Sequence, residues 1–215
     1  MFMDDTFRHA LKRLALCGVS LLLALSAAAA QAQLLPETPQ FRRLGVEQGL
    51  PSSRINALAQ DRAGYLWIAT DDGVARFDGV DFRVWRYNPG VVNGMQGNLV
   101  NSLYVDRNDD VWLGVASGGL ARIDAQRGAV EAIPEERVPG MKDGEVWSMT
   151  ETADGRLWFA TFGSGLYSRE PDGNFVHHGP LPTGANGTVQ PKLISMATDR
   201  DGVRRTGASS SMSFV

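Results

Sequence analysis

Ile55–Asp78 reads INALAQDRAGYLWIATDDGVARFD, and the chain repeats that sentence twice more. Val100–Asp124 is VNSLYVDRNDDVWLGVASGGLARID, and Val146–Arg169 is VWSMTETADGRLWFATFGSGLYSR. Trp67, Trp112 and Trp158 stand at one phase of these copies, 45 and 46 residues apart. A fourth copy opens at Leu193 as LISMATDRDGVRRTGASSSM, with Arg205 standing 47 residues after Trp158, where the next Trp belongs. A period of about 40–50 residues is the mark of a propeller or another stacked array.

Each copy has one grammar. An apolar-alternating run (Ile55, Leu58) leads into a polar turn, Asp61-Arg62-Ala63-Gly64. A second run, Tyr65 to Thr70, ends at Asp71-Asp72-Gly73; a third covers Val74 to Phe77, and Phe82 to Tyr87 closes the unit. Short runs of β-branched and aromatic residues between Asp/Gly turns predict antiparallel strands in a meander. Four strands in about 45 residues make one propeller blade. The fold class expected is therefore all-β, with blade cores at 55–87, 100–133, 146–178 and a degenerate, truncated 193–215. That is about 3.5 blades, too few to close a ring, and such an open arc is expected to be unstable alone because its sheet edges stay open.

The repeated positions have structural roles. Gly73, Gly119 and Gly165 close the second turn, where a positive φ fits the twist of the flanking strands. Asp61 and Asp106 begin the first turn, accepting backbone N–H bonds, and Gly64 and Gly155 end it. Trp67, Trp112 and Trp158 supply the area that fills the gap between splayed sheets, and their strict register argues for packing rather than ligand stacking. Thr152 in place of the turn aspartate and Asp109 in place of the turn glycine read as drift. In the fourth unit Arg204 and Arg205 occupy the Leu-Trp positions and Ser211 the turn-glycine position, which predicts a decayed or truncated copy of a longer gene.

Residues 1–32 read as a signal peptide: Arg8, Lys12 and Arg13 precede the apolar run Leu14–Ala30, and Ala30-Gln31-Ala32 offers a cut after Ala32. Residues 33–43 are a lead-in, and 44–215 the partial propeller. Removing the leader's three basic and two acidic residues from totals of 21 and 24 leaves 18 against 22, a net charge of −4. No basic footprint remains, which argues against nucleic acid as a partner. The one cysteine, Cys17, leaves with the leader, so the exported chain has no thiolate metal site.

The pattern I-x-x-L-x-x-D-x-x-G-x-L-W-I-[AG]-T-x-x-G-[VL]-x-x-[FY]-D resembles the two-component regulator propeller repeat, and Leu44–Ser53 (LGVEQGLPSS) resembles the segment that opens its first blade. Members of that family are membrane sensors, with periplasmic propellers, an immunoglobulin-like domain, a transmembrane helix and a cytoplasmic output module. The output is a histidine kinase or a diguanylate cyclase. The resemblance implies a periplasmic ligand-sensing region whose parent is anchored in the inner membrane, with a small molecule or oligosaccharide as ligand. The rest of the sensor, and a second sensor subunit, are the protein partners it implies. No output motif occurs in these 215 residues.

No catalytic residue and no cofactor or metal site is expected. Asp71-Asp72 and Asp109-Asp110 lie in turns the repeat already demands, and His177-His178 point to opposite faces of a strand, with no carboxylate or thiol cluster beside them. The competing classes are a secreted carbohydrate-active propeller enzyme and a stand-alone interaction scaffold. Ligand contacts are expected in the unequal inter-repeat loops 88–98, 134–145 and 179–192, or on the rim of the central channel, because the strands are consumed by packing.

Overall fold

The computed structural model describes residues 41–126, 128–141, 145–179, 193–198 and 204–208. The expected signal peptide, its cleavage at Ala32 and most of the 33–43 lead-in fall outside them, as does nearly all of the 179–192 loop. The chain divides into two units, Met1–Arg43 and Leu44–Val215. Only Phe41–Arg43 of the first is described, without regular structure.

Leu44–Val215 is all-β. β1 (Ile55–Gln60), β2 (Leu66–Thr70), β3 (Gly73–Phe77) and β4 (Phe82–Trp85) form a four-stranded meander in chain order. A second meander comprises β5 (Val100–Val105), β6 (Val111–Val115), β7 (Gly119–Ile123) and β8 (Val130–Ala132). A third comprises β9 (Val146–Glu151), β10 (Leu157–Thr161), β11 (Leu166–Arg169) and β12 (Phe175–His177). In the fourth unit β13 (Leu193–Thr198) pairs with β14 (Arg204–Ala208). Ala197 stands opposite Arg205 as Ala59 stands opposite Trp67, so Arg205 does hold the Trp register.

The first strands β1, β5, β9 and β13 lie next to one another in succession, so they form the inner edge of a propeller-like arc. Each blade packs a tryptophan against its successor. Trp67 shares a core cluster with Leu103, Val111 and Val130 of the next blade, Trp112 with Met149, Leu157 and Phe159, and Trp158 with Met196. All three indoles are buried, as their register predicts. Burying a side chain of that size contributes several kcal/mol per seam, at about 25 cal/mol per Å² of apolar area.

Each indole N–H also finds an acceptor. Trp67 Nε1 donates to Asp61 Oδ2 at 2.9 Å, and Trp112 Nε1 to Asp106 Oδ2 at 2.8 Å. The other oxygen of each aspartate accepts the turn's backbone, Tyr65 N at 2.9 Å and Asp110 N at 3.0 Å. One carboxylate thus ties a turn to a core indole, twice the role the sequence assigns it. Thr152 preserves this: its hydroxyl accepts from Trp158 Nε1 at 3.2 Å. Asp109 keeps the left-handed conformation of the glycine it replaces, with φ 69°, which a short polar side chain tolerates.

Glycine is required at the second turn. Gly73 has φ 112°, and a Cβ there would stand 2.4 Å from Trp85 O. A smaller signal is also repeated. Leu50, Met95 and Met141 each lie five residues before a first strand, each follows a glycine, and each is buried. Met95 enters the Trp67 seam and Met141 the Trp112 seam, whereas Leu50 covers Ile68 and Ala75 of the first blade. Each repeat therefore begins at its Gly-Leu or Gly-Met pair, six residues ahead of the strand at which the sequence reading begins it. The ends of loops 88–98 and 134–145 are accordingly core.

Candidate functional site: the loop face of the blades

A meander of four strands sends its connections to two opposite ends, and here the ends differ. At one end lie the short turns after the first and third strands. Arg62 N donates to Asp109 Oδ1 at 3.1 Å, and the Arg62 guanidinium bonds Arg107 O. One blade further on, Arg107 N donates to Glu151 Oε2 at 2.9 Å and its guanidinium to Thr152 O at 2.6 Å. That end is tied from blade to blade by Arg62 and Arg107.

The long loops gather at the other end. Asn93 and Gln96 of loop 88–98 and Pro134, Glu135 and Val138 of loop 134–145 line a cleft of about 310 Å³. Gly118, Gly119, the end of β8 (Glu131 and Ala132) and Ile133 complete it. Two of the three expected loops therefore meet in one place. Hydrogen bonds join its walls: Ala132 N donates to Asn93 O at 2.7 Å, and Glu135 Oε1 accepts Gly140 N at 2.7 Å. Arg122 pairs with Glu131 at 3.2 Å. Two carboxylates and two side-chain amides above apolar Ile133 and Val138 suit a small ligand with several hydrogen-bonding groups, at the lower end of ligand-pocket sizes.

The same end carries the rim of the inner strands. A β-bulge recurs at the second residue of β1, β5, β9 and β13, where the register slips past Asn56, Asn101, Trp147 and Ile194. A bulge leaves one residue unpaired and re-aims its side chain. Asn56 Nδ2 reaches Asp71 Oδ1 and Val100 O, both at 3.0 Å, and Asn101 Nδ2 reaches Glu145 Oε2 at 3.3 Å. Trp147 breaks this series, remaining 42% exposed. The sequence reading missed it because it follows Val146 inside an ordinary strand run; its departure from Asn56 and Asn101 was the available signal.

The carboxylates weighed as catalytic are occupied. Asp71 pairs with Arg54 at 3.4 Å, and Asp72 with Arg86 at 3.0 Å. Asp110 pairs with Arg122 at 3.3 Å; burial, then the Asp106 charge, raises its pKa above the usual carboxylate range. His177 stacks on Tyr167 with ring centres 4.2 Å apart, and His178 Nε2 lies 2.8 Å from Ser168 Oγ. Among the described residues no three His, Cys, Asp or Glu side chains gather as a metal site.

Residues 49–72 and 140–163 match the family model of the two-component regulator propeller. Both matches begin at the Gly-Leu or Gly-Met boundary found in the fold. A 49-residue stretch is 39% identical to histidine kinase P4 of Formosa agariphila, 23% of this chain and 4% of the kinase. The fold is similar to the extracellular domain assigned to the hybrid two component system BT3049 of B. thetaiotaomicron, with a TM-score of 0.65 and 22% identity, over 78% of this chain and 24% of that one. The corresponding domain of BT4673 gives a TM-score of 0.57 at 22% identity, over 75% of this chain and 21% of that one. The chain thus spans about a quarter or less of the length of the proteins it resembles.

Proposed function

Starting from a chain built of two-component regulator propeller repeats, we propose that it is the ligand-sensing propeller region of a membrane signal-transduction protein, of the sensor-kinase or diguanylate cyclase type. In this reading it is exported to the periplasm by residues 1–32, binds a small molecule or oligosaccharide without turning it over, and works as the N-terminal part of a longer sensor. The observation that carries the reading is the inequality of the two ends of the blades. One end carries only short turns, tied by the Arg62 and Arg107 ladder, while the other gathers the unequal loops around a cleft of about 310 Å³. A purely structural array needs no such asymmetry, because its neighbours ask the same of every blade.

The test is a thermal-shift screen of the exported chain against oligosaccharides and small metabolites, with products followed chromatographically. A sensor region yields a ligand that raises Tm, is recovered unchanged, and loses its effect in Glu135→Gln or Gln96→Ala. Turnover of the ligand, or a shift indifferent to both substitutions, contradicts the reading. Export is checked separately, by fusing residues 1–43 to a reporter active only outside the cytoplasm. Activity, with a mature N-terminus at Gln33, is the expected result.

A further inference from the structure

At the bulge of each first strand, the first two blades carry an amide that clasps the following blade, Asn56 to Val100 O and Asn101 to Glu145 Oε2. The third carries Trp147, which makes no such clasp among the described residues. Its indole turns back instead, donating from Nε1 to Glu145 Oε2 at 3.1 Å, and its ring lies 5.7 Å from that of Phe162 at a tilt of 33°. Among the described residues, the two side-chain donors to Glu145 fall on one oxygen, Oε2. Among the described residues no arginine or lysine pairs with its carboxylate. Glu145 itself is held at φ 42°, a left-handed conformation that a non-glycine residue keeps only when its surroundings impose it; Phe162 N, bonding Glu145 O at 3.0 Å, is one such restraint.

We propose that Trp147, Phe162 and Glu145 form a binding site for an alkylammonium group on the loop face. An exposed indole attracts a cation through its electron-rich face, and the attraction is strongest where a cation is partly desolvated. Glu145 supplies the opposite charge at the edge of that ring, and among the described residues no donor reaches its Oε1. A neutral hydroxyl-rich ring also stacks on tryptophan, but it makes no use of a carboxylate that pairs with no cation among the described residues. This inference rests on the loop-face reading above and names the chemistry of one part of that face.

The experiment titrates the full exported chain with n-butylammonium and tetramethylammonium chloride at constant ionic strength, reading tryptophan fluorescence and the indole N–H resonance of Trp147. Of the five tryptophans Trp67, Trp112 and Trp158 are buried and Trp85 is half-buried against Trp67, so Trp147 is the most exposed to added solute, and its own N–H resonance separates it from Trp85. Saturable binding is expected, weakened about tenfold by Glu145→Gln and abolished by Trp147→Ala, while Trp147→Phe retains part of it. Maltose should leave the Trp147 resonance unmoved. No saturable response to either cation overturns the proposal; so does binding indifferent to Glu145→Gln, or maltose binding that survives it. Failure here, alongside a thermal-shift ligand sensitive to Glu135→Gln, removes the ammonium site and leaves the sensor reading standing. Failure of both removes both.

Discussion

Leu58 and Leu103 occupy the same place in the first strands of successive blades, yet Leu58 is 57% exposed and Leu103 only 9%. Met149 and Met196, at that place in the next two units, are each 8% exposed. The strand does not differ; the neighbour does. Leu103, Met149 and Met196 each belong to the core cluster of the tryptophan of the blade before, whereas no blade precedes β1 among the described residues. Burial in this fold is a property of the seam, as expected where stability is a sum of nearest-neighbour terms. Part of the first blade's open face is covered by Leu50, which packs on Ile68 and Ala75, but Ile55 and Leu58 stay outside that cover.

The comparison breaks most readily at the leucines themselves. Leu103→Ala is expected to cost about 2–5 kcal/mol, and Leu58→Ala under about 1 kcal/mol, in urea unfolding of the two variants. Equal losses would mean that the seam does not assign the burial. A smaller effect is expected at the indole acceptors. Asp106→Ala strands a buried Trp112 N–H and should cost about 1–3 kcal/mol, whereas Thr152→Ser, which keeps a hydroxyl near Trp158, should stay within about 1 kcal/mol. A loss for Thr152→Ser as large as that for Asp106→Ala would mean that the hydroxyl does not stand in for the carboxylate.

The smallest expected effect is electrostatic. Asp110 has its pKa raised by burial first and the Asp106 charge second, so the folded form binds the Asp110 proton more tightly than the unfolded form does. Its contribution therefore makes stability rise as pH falls from neutrality through the raised folded pKa, the rise ending below the unfolded value near 3.9. Asp110→Asn should flatten that part of the pH profile by well under about 1 kcal/mol. A steeper profile in the variant would reverse the assigned sign.

What the sequence made legible was whatever repeats within a few residues. The strand runs, the tryptophan phase, the positive-φ glycines and the register of Arg205 all follow from local alternation and turn chemistry. Three things did not. The Asp61–Trp67 and Asp106–Trp112 bonds span a turn and join side chains whose separate roles already looked complete. Leu50, Met95 and Met141 are single apolar residues in polar stretches, with no alternation to expose them. Trp147 was hidden by the bulge, since a period of two places it as an ordinary strand residue and the register slip re-aims it. The sequence pointed to the unequal loops for ligand contacts; the cleft between two of them rests on how the blades stack, which no short window records.

The central claim, that each blade takes its burial from the blade before it, is tested most directly by thiol accessibility. Cys17 is the one cysteine of the sequence, so in a chain begun at Gln33 Leu58→Cys and Leu103→Cys each introduce a single probe at equivalent positions of β1 and β5. Under native conditions the thiol at 58 should react with a maleimide nearly as fast as a free peptide thiol, and the thiol at 103 at least about a hundredfold more slowly, limited by opening of the seam. Comparable rates at the two positions would contradict the account.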